Sequence, residues 1–157
     1  MKILKHLEEK DFSLRMMVVI FAAISPFILI FSHGVERSLS AYWNTDLQPI
    51  FIITNFTTAY YFFTLKNWWL SALLLILLTA FSVSLYGDLH DILAVMFFLS
   101  NLYPLYKTNH YRWIIIGYLT ALPILPLFGM LWAEIVAIEF LCLYQLLILR
   151  KLYILDR

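Results

Sequence analysis

The sequence predicts an all-α polytopic membrane protein, a single domain of six antiparallel transmembrane helices with both termini cytoplasmic. Three observations carry that prediction. Six apolar runs, at about 16–32, 50–65, 68–86, 92–106, 113–133 and 135–149, fill most of the 157 residues with only brief connections between them. The chain is 63% hydrophobic and 13% charged, against about 45–50% and about 25% in ordinary soluble domains. Ten of its eleven Lys and Arg residues fall in alternate connections: Lys2, Lys5, Lys10 and Arg15, then Lys66, then Lys107 and Arg112, then Arg150, Lys151 and Arg157. Only Arg37 breaks the alternation. Basic residues in short loops stay on the cytoplasmic side, which predicts that both termini are inside.

Each segment has its own justification. Residues 1–15 are polar and mixed in charge, and read as a cytoplasmic amphipathic segment with Ile3, Leu4, Leu7 and Phe12 toward the membrane surface. Ser13 is placed to cap the first span. That run is long enough to cross, and the Ser-His-Gly-Val after it is a poor cleavage site, so it reads as a span rather than a signal peptide. The runs at 50–65 and 92–106 are short for a crossing of about 20 residues, and are expected to extend into flanking polar residues. Within the first of these, Thr54, Asn55, Thr57 and Thr58 either line a cavity or bond between helices. Ser100, Asn101 and Gln145 read as contacts between helices. Pro26, Pro104, Pro123 and Pro126 predict kinks. Tyr42, Trp43, Trp68, Trp69, Tyr111, Trp113 and Trp132 fall near span ends, where an interfacial aromatic belt belongs.

Several function classes are excluded or disfavoured. The net charge of +1 includes no basic stripe interleaved with aromatics, which argues against a nucleic-acid partner and leaves membrane lipids as the expected one. The lone Cys142 excludes an internal disulfide and reads as filler inside the last span.

With both termini inside, the segments 32–49, 87–91 and 128–134 face outward. They carry His33, Glu36, Arg37, Ser38, Ser40, Tyr42, Asn44, Asp46, Asp88, His90, Asp91 and Glu134. Glu139 extends this group about 7 Å further along its helix, and an ionisable group at that depth is a functional candidate. The cluster has two readings. In one, His33, His90 and Asp88 offer imidazole and carboxylate ligands for zinc, with Asp91 or Glu36 as acid–base group. In the other, Asp88 and Asp91 cap the fourth helix and complement its dipole. Glu36 and Arg37 are expected to pair with each other. Ser38, Ser40 and Tyr42 share a face if their strip is extended, and a Ser40 nucleophile would need a base within hydrogen-bond reach.

The stretch Glu36-Arg37-Ser38-Leu39-Ser40-Ala41-Tyr42-Trp43-Asn44-Thr45, with Phe51 after it, resembles a motif of an uncharacterised bacterial family of small multi-span membrane proteins. That motif reads roughly Glu-Arg-Ser-Ile-Ser-Ala-Tyr-Tyr-His-Thr, and His90, Ala94, Phe97 and Phe98 resemble a later His, Ala and Phe-Phe in the same family. The likeness spans about residues 35–98. The family is more distantly similar to the alkaline-ceramidase and progestin-receptor-like membrane hydrolases, whose Ser, Asp and His residues form a zinc site for amide hydrolysis. This chain departs from the pattern at Asn44, where the family has His, and at Gln48, where it has Arg. The superfamily's terminal His-x-x-x-His is absent.

The expectation is an outward-facing polar pocket for a lipid headgroup or small polar ligand, with metal-assisted hydrolysis as one branch. Ser40, Asp91 and Glu36 would be catalytic; Arg37, Ser38, Tyr42, Asn44, Asn55 and Glu139 would bind ligand; and His90, Asp88 and His33 would hold zinc. The alternative is a non-enzymatic small transporter, channel protomer or accessory subunit, with Glu139 on a pathway or a helix contact.

Overall fold

The computed structural model describes residues 2–107, 111–151 and 153, with side chains from Asp11 onward. The described residues are helical with no strands. The elements are α1 (Lys2–His33), a short 3-10 turn (Leu39–Asn44), α2 (Gln48–Phe63), α3 (Trp69–Ala80), α4 (Val83–Lys107), α5 (Arg112–Leu119), α6 (Ala121–Phe128) and α7 (Met130–Arg150). Three helical stretches are long and apolar enough to cross a membrane: Asp11–His33, Val83–Lys107 and Met130–Arg150. The apolar stretches Trp69–Ala80 and Arg112–Phe128 are shorter.

Each predicted run corresponds to helix, but the boundaries move. α1 continues unbroken from Lys2, so residues 1–15 do not form a separate surface helix and Ser13 caps nothing. No Gly or Pro precedes Pro26 to interrupt it. The expected membrane-facing Ile3, Leu4 and Leu7 lie outside the described side chains, and Arg157 lies outside the described residues. α2 gains Gln48 and Pro49 at its start and stops at Phe63. The third run breaks at Phe81, whose extended backbone ends α3. Ser82, a residue type favoured immediately before a helix start, then precedes α4. The segment 87–91 is therefore helical rather than an outer loop, with a bend where Tyr86 and Gly87 leave helical geometry. The fifth run divides at Thr120, just after Leu119, the residue whose carbonyl Pro123 cannot serve. The turn before α7 is at Gly129, so Glu134 is inside α7.

Antiparallel packing follows from the short connections. α1 lies on α2 and α7, α2 on α3, α3 on α4, and α5 and α6 on α7. The contacts use small side chains and hydrogen bonds, which replace the hydrophobic drive that is missing between helices in lipid. Ala59, Ala72, Ala121, Ala133 and Ala137 are buried. A Cβ on Gly117 of α5 would overlap the Phe140 ring of α7. Ser71 and Ser100 join α3 to α4 at 2.9 Å. Asn101 Nδ2 donates to the Tyr118 hydroxyl at 3.3 Å, and that hydroxyl donates to the Phe98 carbonyl at 2.9 Å. These bonds join α4 to α5, while Tyr61 and Gln145 join α2 to α7. Ser100, Asn101 and Gln145 thus make the expected helix contacts.

One end of the bundle gathers Asp11, Arg15, Thr64, Asn67, Lys107 and Tyr153. Arg15 pairs with Asp11 at 2.8 Å and donates to Thr64. Lys107 donates to Asn67, and Tyr153 to Asp11. Trp68 is buried against Phe62 and Tyr144, and Tyr42 is wholly buried. Both are core residues rather than belt anchors. Trp69, Trp113 and Trp132 are exposed. Much of the outer surface is apolar, with Phe31, Leu85, Ile116, Leu127 and Phe128 each more than two-thirds exposed. Such a surface needs an apolar surround.

Candidate functional site

The turn after α1 occupies the other end of the bundle. Gly34, at φ +102°, reverses the chain, and its carbonyl accepts a hydrogen bond from the Tyr42 hydroxyl. Burial raises the pKa of that phenol above its ordinary value. The 39–44 segment is wound rather than extended. Ser38 and Ser40 hydroxyls still lie 3.1 Å apart, but Tyr42 turns into the core and does not share their face. Two bonds fix this turn on α7: Glu134 Oε2 accepts from the Leu39 backbone N–H at 2.6 Å, and the Arg37 carbonyl accepts from the Leu131 N–H at 3.1 Å.

His33 faces two carboxylates, Glu36 Oε1 at 3.5 Å from Nε2 and Asp46 Oδ1 at 3.3 Å from Nδ1. Glu36 therefore pairs with His33 rather than with Arg37, whose side chain is exposed. Asn44 is exposed as well.

His90 is buried, and its Nδ1 sits 2.6 Å from the Phe81 carbonyl. A carbonyl can only accept, so Nδ1 carries the hydrogen. The ring thereby satisfies a backbone group freed where α3 ends. Asp88 and Asp91 are exposed, and both lie inside α4 rather than before its first residue. These residues do not fit a zinc site. His90 is turned to a carbonyl, the two nitrogens of His33 face different carboxylates, and among the described residues no three His, Cys, Asp or Glu side chains group to hold a metal.

Two neighbouring cavities lie inside the bundle. The larger, about 260 Å³, is lined by residues of the 39–44 turn and of α2 to α7. Its polar lining is Ser40, Asn55, Tyr118 and Glu134; the remainder is apolar, including Ala94, Phe97, Phe98, Ala133 and Ala137. α4 makes at most marginal contact with α6. The lining residues Val95, Leu99, Leu122 and Leu125 on these two helices are themselves exposed on the outer surface. The cavity is therefore reached from the side, between α4 and α6. The smaller chamber, about 80 Å³, lies among α1, α2 and α7, with Ser25, Thr54, Asn55, Thr58, Tyr61, Cys142 and Gln145 on its wall. The two meet at Leu39, Phe51, Asn55, Phe97, Ile138 and Leu141.

Of the residues proposed from the sequence as catalytic or ligand-binding, Ser40 and Asn55 line the larger cavity. His33, Glu36, Arg37, Ser38, Tyr42, Asn44, Asp88, His90, Asp91 and Glu139 line neither. One Glu139 oxygen, Oε1, is buried without a hydrogen-bond partner. Thr54 and Thr57 bond to carbonyls of their own helix, at Ile50 and Ile53, and not between helices. The residues that sequence reasoning missed are Gln145, as a cavity residue, and Glu134, as the tie to the turn. Their signal was on α7: Glu134, Ile138, Leu141 and Gln145 follow helical spacing on one face.

No family model, curated protein or solved structure matches this chain.

Proposed function

We propose that this chain is a six-segment membrane protein, with both termini cytoplasmic, that binds a lipid-like molecule in the cavity between α4 and α6. The cavity carries the reading: it is apolar along most of its wall, polar at Ser40, Asn55 and Glu134, and open toward the exposed apolar surface. A pocket with few convergent polar groups in an apolar wall suits a ligand of that kind. The topology is supported by the gathering of Arg15 and Lys107 at the bundle end opposite the Glu134-bound turn. The three shorter helical stretches would complete their crossings with turn residues at their ends. The motif at 36–45 belongs to the same proposal, as the turn that closes the cavity.

Binding suits the geometry better than hydrolysis. Ser40 has Ser38 as its hydroxyl partner, and a serine nucleophile needs a base. A transport path through Glu139 would put that residue on a cavity wall, and it lines neither cavity.

The test is native mass spectrometry of the protein extracted from its membrane, comparing the wild type with Ala94→Phe, which places a ring in the cavity mouth. The wild type should retain a lipid-mass adduct that the variant loses. An adduct-free wild type, or equal retention in both, would refute the reading. The topology fails separately if a reporter fused after Arg157 is found outside the cytoplasm.

A further inference from the structure

We infer that the ligand carries an uncharged, oxygen-bearing head, a hydroxyl or carbonyl on a long apolar chain, and that Gln145 holds this head in the inner chamber. The inference rests on the lipid-binding reading of the larger cavity and adds the class of ligand and its orientation.

Gln145 is buried to 3% exposure and lines the chamber. Its Oε1 accepts from the Tyr61 hydroxyl at 3.1 Å, while Nε2 has no partner. Turning the amide over only exchanges which end is unpaired, because Tyr61 offers one hydroxyl. Away from water such a group needs a partner. Asn55 and Thr58 on the same wall also have no side-chain hydrogen bond among the described residues. Three polar side chains, spaced around one space, are thus available to a single oxygen function.

Charge decides the class. Neither cavity has a Lys, Arg or His among its described lining residues, and the one carboxylate, Glu134, is at the far end of the larger cavity. A phosphate, sulfate or carboxylate head would be buried without a counter-charge. A neutral head meets no such penalty. The two cavities share a wall at Asn55, and the ligand would pass that residue. Along α7, Gln145 is eleven residues beyond Glu134, about 16 Å at 1.5 Å per residue. The chain of the ligand would occupy the apolar cavity and leave sideways between α4 and α6. The competing occupant is water, for which the chamber is roomy enough.

The experiment uses the full chain in phosphatidylcholine vesicles with two photoactivatable probes of the same chain, a diazirine-bearing hexadecanol and the matching hexadecyl sulfate. The alcohol should label α2 and α7 about tenfold more than the permanent anion, the factor that one well-made hydrogen bond supplies. Gln145→Leu should reduce alcohol labelling to the level of the sulfate. Thr58→Val, a closer match in shape, should reduce it in part, and keeps the test valid if Gln145→Leu does not fold. Equal labelling by both probes, or labelling unchanged in both variants, overturns the neutral head while leaving the cavity reading in place. Alcohol labelling confined to α4 and α6 also overturns it, since the head would then lie outside and the chamber would hold water. Labelling by neither probe sinks the cavity reading itself.

Discussion

Replacing Glu134 isolates the bond that ties the cavity-closing turn to α7. Leu39 is 7% exposed, and its N–H has Glu134 Oε2 as acceptor at 2.6 Å. Glu134→Ala removes the acceptor and leaves a buried backbone donor unpaired. A hydrogen bond contributes about 0.5–1.5 kcal/mol net, and an orphaned buried donor costs about 1–3 kcal/mol, so the expected loss is about 1–3 kcal/mol. Glu134→Gln keeps a carbonyl oxygen in place as acceptor, so it should lose less than about 1 kcal/mol. The assay is reversible unfolding in mixed micelles, with probe binding to the cavity followed in parallel. Glu134→Ala should also loosen the turn, which then keeps only the bond from Leu131 N–H to the Arg37 carbonyl. Glu134→Ala within about 0.5 kcal/mol of wild type would refute the reasoning, that being the range of an uninvolved surface change. So would a Gln variant as damaged as the Ala variant, since charge rather than the bond to Leu39 would then matter.

Three further outcomes follow from single contacts. Gly129 has φ +92° and ψ 172°, a conformation nearly restricted to glycine, so Gly129→Ala should lower stability by about 1–3 kcal/mol in thermal unfolding although nothing crowds its Cβ position. His90→Leu leaves the Phe81 carbonyl unpaired and should cost about 1–3 kcal/mol, while elemental analysis finds the zinc content of the purified protein no different from wild type. Tyr42 has a folded-state pKa above its unfolded value, so its contribution is present below about pH 10 and is lost as pH rises through the folded value. Tyr42→Phe should therefore flatten the alkaline fall in stability of the wild type, and an unchanged slope would remove Tyr42 from that account.

The sequence reported apolar runs well because a helix in lipid must satisfy its backbone within itself, and that demand is written in continuous hydrophobicity. It reported the breaks less well. Ser82 stands inside a run that hydropathy alone joins, and only its preference for the position before a helix marks the start of α4. Gly129 was visible as a turn residue, but the polar Glu134 drew the expected boundary five residues too far.

The candidate site was less legible for a different reason. Hydropathy and loop charge sort residues by depth and by membrane side, and they did gather His33, Glu36, Ser40 and Glu134 at one end. They do not say which way a side chain turns. His90 has the chemistry of a metal ligand, yet a freed carbonyl nine residues earlier is within reach of its ring and takes the N–H. Asp88 and Asp91, with no such partner, remain exposed. A cavity is set by what neighbouring helices fail to fill, so its wall combines residues distant in sequence: Ser40, Asn55, Phe98, Leu122 and Ala133. Periodicity along one helix recovers part of that wall. On α7 the positions 134, 138, 141 and 145 lie on one face, polar at both ends and apolar between, which is the pattern of a helix that lines a space with two polar ends. Reading each helix for the face on which its polar residues recur, rather than each loop for its charges, would have placed Glu134 and Gln145 at the cavity before His90.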